Sequence, residues 1–157
     1  MLTHPHDTII GNIPEDWESK PLRSLLKAQS SGDWGADEGE QPITVIRSTN
    51  FTDSGVLDLG NVAIRYFAAD KAQKFSLCKG DVLVERSGGG PDQPVGRVAF
   101  VPDNMDRTTV SNFVQILSPD PDAVDPEYFG WVLYEVQRTG MTERVQQQST
   151  QMRNLQW

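Results

Sequence analysis

Lys79-Gly80-Asp81-Val82-Leu83-Val84 runs straight on into Glu85-Arg86-Ser87-Gly88-Gly89-Gly90-Pro91-Asp92-Gln93-Pro94-Val95-Gly96-Arg97. The first three residues are a turn signal and the next three a short apolar run, so a strand is expected from Val82. Val95 to Val101 is a second β-like run, and the stretch between them is a long connection. Three consecutive glycines free its backbone to approach a partner closely. Arg86 and Arg97 flank it at the strand ends, and Gln93 lies near its tip. Arginine can pair with guanine through two hydrogen bonds and glutamine with adenine, so the chemistry suits base-edge readout or phosphate clamping. A long hairpin turn with Arg97 in a surface ion pair is the plainer alternative.

Outward from this stretch the pattern remains β-like. Ile43 to Ile46, Val62 to Phe67 and Asn112 to Leu117 read as further strands, and a short strand is expected around Trp17. Pro21 with Leu22, Leu25 and Leu26 reads as a short helix, as does Ala68 to Phe75. Past Pro121 the period changes. Asp125-Pro126-Glu127 is a helix start, with a capping acid, a proline in the first turn and an acid near the positive end. Tyr128, Phe129, Val132, Leu133 and Val136 fall on one face of that helix, and Gly140 ends it. A second, polar helix is expected from Met141 to Gln148. The fold class expected is α+β.

A chain of 157 residues is the size of one ordinary domain. The expected division is a tail over 1–12 and one domain over 13–157. With 37% apolar and 23% charged residues the balance is globular, and no apolar run approaches the length that crosses a bilayer. The opening residues lack the basic cap and apolar core of a secretory signal, so a cytoplasmic location is expected. One cysteine, Cys78, excludes an internal disulfide or a cysteine zinc cluster. The His4/His6 pair is better read as part of a terminal tail than as a metal site.

The net charge of −8 weighs against nucleic-acid binding by bulk attraction. Its distribution weakens that objection, because the acid is concentrated in loops and ends. Residues 33–40 carry four acids and no base, whereas 41–101 carries seven basic and six acidic residues. Any anion must be held by a local patch.

No nucleophile–base set, zinc motif or phosphate loop is present, and no catalytic constellation is found. Asp81 and Glu85 lack a supporting histidine. Two further segments share the character of the glycine-rich connection. Arg47-Ser48-Thr49-Asn50 also follows a β-run directly, and Gln146 to Gln151 is a run of amide and hydroxyl side chains followed by Arg153 and Asn154. For the second of these a solvated helix end is the plainer reading. Trp34, Trp131 and Trp157 read as packing residues.

Taken in order, these pieces resemble a target recognition domain of the specificity subunit of type I restriction–modification systems. The resemblance rests on Ile13-Pro14-Glu15-Asp16-Trp17-Glu18, on Lys79 to Val84, on Glu85 to Val98, and on Asp125-Pro126-Glu127-Tyr128-Phe129 followed by Ser149 to Leu155. Ser149 and the Met152-Arg153 pair depart from the commoner closing pattern. The resemblance implies a twisted, partly barrel-like mixed sheet with packed helices, and a non-catalytic protein of phage defence. It implies double-stranded DNA, the methylation and restriction subunits, and a second recognition domain or self-association as partners. It implies no cofactor here, S-adenosylmethionine, ATP and Mg2+ belonging to the partner subunits. Because the family's spacer helix would follow residue 157, a half-subunit, a truncated gene or an excised domain is expected.

The residues then expected at DNA are Arg47, Ser48, Thr49 and Asn50; Arg86, Ser87, Gly88, Gly89, Gly90, Gln93 and Arg97; and Gln148, Thr150, Gln151, Arg153 and Asn154. An acidic protein-docking module that does not bind nucleic acid is the alternative.

Overall fold

A computed structural model describes residues 7–8, 11–88, 95–148 and 153–155. In chain order, a two-residue hairpin, β1 (Asp7–Thr8) and β2 (Gly11–Asn12), precedes a 3-10 turn over Leu22–Leu25 and strand β3 (Leu26–Ser31). Strand β4 (Gln41–Ile46), a 3-10 turn over Ser48–Asn50, β5 (Ala63–Phe67), helix α1 (Ala69–Ala72) and β6 (Ser76–Leu77) follow. The stretch quoted above forms β7 (Val82–Glu85), β8 (Ser87–Gly88) and β9 (Val98–Phe100). Then come β10 (Met105–Asp106), β11 (Thr108–Val110), β12 (Val114–Pro119), α2 (Pro126–Arg138), a 3-10 turn over Met141–Val145, β13 (Gln146–Gln148) and β14 (Arg153–Leu155).

The architecture is α+β, mostly sheet with few helices. An antiparallel sheet of four strands has the order β3-β12-β7-β9, and a mixed sheet of three has the order β11-β4-β5 with β11 parallel to β4. A third sheet, β13-β14-β8, carries the end of the described chain, and β6 pairs with β10. None of these sheets closes into a barrel among the described residues.

Strand β7 shows why the sequence folds this way. Leu83 points into a core shared with Ile46, Leu77, Ala99, Val110 and Val114, between the two larger sheets. Val82 and Val84 point the other way, into a core with Val98, Leu117 and Phe129 beneath α2. A strand buried on both faces must be apolar at successive positions, which accounts for the uninterrupted Val82-Leu83-Val84 run. Each such side chain contributes on the order of 1.5–3 kcal/mol of burial. A smaller core of Ile43, Val45, Phe67 and Ala72 lies under α1.

Helix α2 begins as its sequence predicts. The Asp125 carboxylate accepts the Tyr128 N–H at 2.8 Å, with Pro126 at the first helical position. Of the expected face, Phe129 is buried and Leu133 packs on the core, but the face is rotated: Gly130 is buried, while Tyr128 is 59% exposed and Val132 also faces outward. Gly130 sets this rotation, since a Cβ there would lie 2.3 Å from the Phe100 ring. Three other expectations are corrected. Trp17 sits in a turn closed by its N–H to Pro14 O, at 3.0 Å, not in a strand. The short helix expected through Leu26 is a 3-10 turn that ends at Leu25, and β3 starts at Leu26. The polar helix expected from Met141 ends at Val145, and Gln146–Gln148 is a strand. No described helix is long and apolar enough to cross a membrane.

Candidate nucleic-acid interface

Strand register brings five segments to one end of the two larger sheets. Val114 at the start of β12 pairs with Glu85 at the end of β7, and Gln115 pairs with Ser31 at the end of β3. On the other sheet β4 and β11 run in parallel, Ile46 beside Val110, so Arg47 and Ser111 leave the sheet together. The Ser111 N–H donates to Ile46 O at 2.8 Å. Residues 31–33, 47–50, 85–88 and 111–113 therefore share this end. Pairing of Asn154 with Ser87 adds the fifth segment, 153–154.

Arg97 and Glu85 tie two of these segments. Arg97 Nε donates to Glu85 Oε2 at 3.0 Å, and Nη2 donates to Oε1 at 3.2 Å and to Ser48 O at 3.0 Å. The Glu85 side chain is 4% exposed and that of Arg97 22%. The hydrogen bonds it donates to Glu85 hold the guanidinium above its ordinary pKa against the opposing effect of burial, so it stays charged. The forked edge with which an arginine pairs with guanine is here turned to Glu85.

The 47–50 segment is fastened from within. The Arg47 N–H donates to Asn50 Oδ1 at 2.9 Å, and Asn50 Nδ2 donates to Asp58 O and Asn61 O at 2.9 and 3.0 Å. Arg47 Nη2 also reaches Asn61 O, at 2.6 Å. Asn50 is buried, Ser48 is half-buried, and Thr49 is the residue of this turn that faces solvent.

Arg86 is placed differently. Its backbone is held on both sides, donating to Phe113 O at 2.8 Å and accepting from the Leu155 N–H at 2.9 Å. Its side chain reaches over the end of β3, where Nη1 donates to Ser31 Oγ at 3.0 Å. Among the described residues it has no carboxylate partner. Behind it, Ser31 Oγ donates to Gln115 Oε1 at 3.1 Å.

Ser87 Oγ donates to Asn154 Oδ1 at 2.6 Å. Gly88, at φ 125°, pairs with Arg153, and β14 in turn pairs Arg153 with Gln148. The expected DNA residues Gly89, Gly90, Gln93, Thr150 and Gln151 lie outside the described residues. Of the three segments picked from sequence, the structure joins all three through Arg97–Ser48 and Ser87–Asn154.

Sequence reasoning overlooked Ser31, the fastening role of Glu85, and the Ser111-Asn112-Phe113 turn. Asn112 is exposed, and Phe113 is 40% exposed at the same end. The available signal was a Ser-Asn turn pair placed just before an apolar strand.

The two carboxylates set aside above are both structural. Asp81 accepts the Cys78 N–H at 2.8 Å and the Ser118 hydroxyl at 2.7 Å, while Glu85 is taken by Arg97. No cluster of three or more metal-ligating side chains occurs among the described residues.

No protein-family profile matches the chain. A protein of Methanocaldococcus jannaschii, named as the specificity subunit of the type I restriction enzyme MjaX, is 26% identical over 129 residues. The match covers 80% of this chain but 29% of that protein, so the chain spans under a third of the relative's length. In sequence, the chain is similar to part of a type I restriction enzyme specificity subunit.

Proposed function

We propose that this chain is a sequence-specific reader of double-stranded DNA, with the target recognition domain fold, conferring target choice on the methylation and restriction subunits of a type I complex. One observation carries the reading: strand-end segments bearing Arg86, Ser87, Thr49, Asn112 and Asn154 converge on one end of the sheets. Sheet ends with loops held by a rigid scaffold are where recognition residues concentrate. The likeness to a specificity subunit supports the same reading.

In this reading Arg86 is the principal base reader, and the glycine-rich connection through Gly88, Gly89, Gly90 and Gln93 supplies further contacts. Arg97, Glu85 and Asn50 position the loops. Arg47, Ser48, Thr49, Gln148, Thr150, Gln151 and Arg153 supply phosphate or base contacts around them. The chain performs no chemistry of its own and takes no cofactor. The acidic remainder of the surface opposes DNA, so partner subunits supply much of the phosphate contact.

Selection from randomised duplex DNA, at low and near-physiological salt, tests the proposal. Enrichment of one short motif is expected. A folded protein that enriches nothing, alone or with its methylation subunit, overturns it.

A further inference from the structure

The aromatic side chains near the surface divide by their contacts. Trp34 lies under the Arg65 guanidinium, 4.7 Å from its ring centre, and Trp131 packs between Phe100 and Tyr134 at 4.9 and 5.4 Å. Phe113 has no ring or cation partner among the described residues, although it is 40% exposed. Its backbone is nonetheless tightly placed. Phe113 O accepts the N–H groups of both Arg86 and Ser87, at 2.8 and 3.2 Å, and Val114 next to it is buried. The turn is held from behind by Gly32, whose N–H donates to Val114 O at 3.1 Å. An apolar ring is thus presented to solvent on a rigid turn, fixed to the residue that reads the base edge.

In the major groove an apolar side chain has one specific partner, the C5-methyl group of thymine. We infer that Phe113 is a specificity-determining residue that packs on a thymine methyl next to the base read by Arg86. The inference rests on the DNA-reading function proposed above and adds a chemical preference to it: the target half-site contains an A·T pair at that position. Asn112, exposed beside it, is the polar member of the same turn.

Uracil is the test, because it differs from thymine only by the missing methyl and leaves base pairing intact. The selected half-site is prepared with each thymine replaced singly by uracil, and affinity is measured for the wild-type chain, Phe113→Ala and Phe113→Leu. One replacement is expected to weaken wild-type binding about fourfold, the size of one buried methyl group. Phe113→Ala should weaken binding to the thymine duplex and show no further loss with uracil at that position. Phe113→Leu should retain part of the discrimination. Phe113→Ala and Phe113→Leu are expected to keep the fold, which a denaturation curve for each variant checks. Specific binding that is blind to uracil everywhere, a half-site without an A·T pair, or an unchanged methyl penalty in Phe113→Ala overturns this inference alone. Absence of any sequence preference overturns the DNA reading and this inference with it.

Discussion

Arg97 spans the gap between two sheets by donating to both oxygens of the buried Glu85 carboxylate and to the backbone carbonyl of Ser48. Removing one member of such a pair leaves a charge in a site that water barely reaches. Arg97→Ala is therefore expected to destabilise the fold by about 3–5 kcal/mol. The double variant Glu85→Leu with Arg97→Met should recover most of that loss, since no lone charge remains. Urea denaturation of the two variants separates these outcomes, and equal instability in both would contradict the pairing argument.

Arg86→Ala should behave in the opposite way. The side chain donates to a serine hydroxyl and pairs with no carboxylate among the described residues, so stability is expected to stay within about 0.5 kcal/mol. DNA affinity should fall by about 1–3 kcal/mol for the selected motif, with relaxed preference at one base position. A uniform loss across all sequences would instead mark Arg86 as a phosphate contact.

The Ser87–Asn154 hydrogen bond fastens the last described strand to the start of the glycine-rich connection. Asn154→Ala is expected to cost about 1 kcal/mol. It should also speed hydrogen exchange at the Leu155 N–H, which is bonded to Arg86 O. Protection at Leu155 equal to that of the wild type would show that the strand docks without this contact.

Gly32 stands where the Ser111 turn crosses the end of β3. A Cβ there would lie 2.1 Å from Val110 O and 2.3 Å from Ser111 O, both backbone atoms with little room to yield. Gly32→Ala should therefore lower stability by about 1–3 kcal/mol or more and displace the turn bearing Phe113. Thermal unfolding measures the first effect, and chemical-shift changes at residues 111–113 report the second.

The Asp33 carboxyl is held below its ordinary 3.8, first by its hydrogen bond from Lys71 and then by the Gly35 N–H. A lowered folded pKa contributes stability that is present above the unfolded value and lost as pH falls through the folded one. The pair is partly exposed, so its contribution is at most about 1 kcal/mol. Asp33→Asn should accordingly be slightly less stable than the wild type at neutral pH, and the difference should close as pH drops below 3.8. Denaturant midpoints across that range check the sign.

The elements legible from sequence are those whose pattern is set locally. The Asp125-Pro126 cap and the Val82-Leu83-Val84 run carry their own signals, and both appear where expected. Strand β3 was missed because Leu26–Ser31 is an edge strand whose residues after Leu26 are all exposed, leaving no apolar alternation to read. Strand β11 was missed for a different reason: Thr108 and Thr109 are polar yet buried, so the strand lacks the apolar run that burial usually leaves in a sequence. Arg47, Arg86 and Arg97 all stood out as strand-end arginines. Nothing local distinguished Arg97, fastened to Glu85, from Arg86, extended over Ser31, since each partner lies elsewhere in the chain.

The bonds that assemble this end of the molecule join residues far apart along the chain: Arg86 to Ser31 across 55 positions, Ser87 to Asn154 across 67 and Arg97 to Ser48 across 49. Each of these bonds contributes only after a long loop has closed, so the surface depends on the fold as a whole and not on any one segment. A peptide spanning residues 79–100 would carry the arginines and glycines but none of their cross-chain supports. Transplanting that loop into another scaffold would transfer its letters without its geometry. A ribosome, likewise, must deliver Asn154 before the Ser87 clamp can form, so this end of the sheets is completed only once synthesis has passed residue 154.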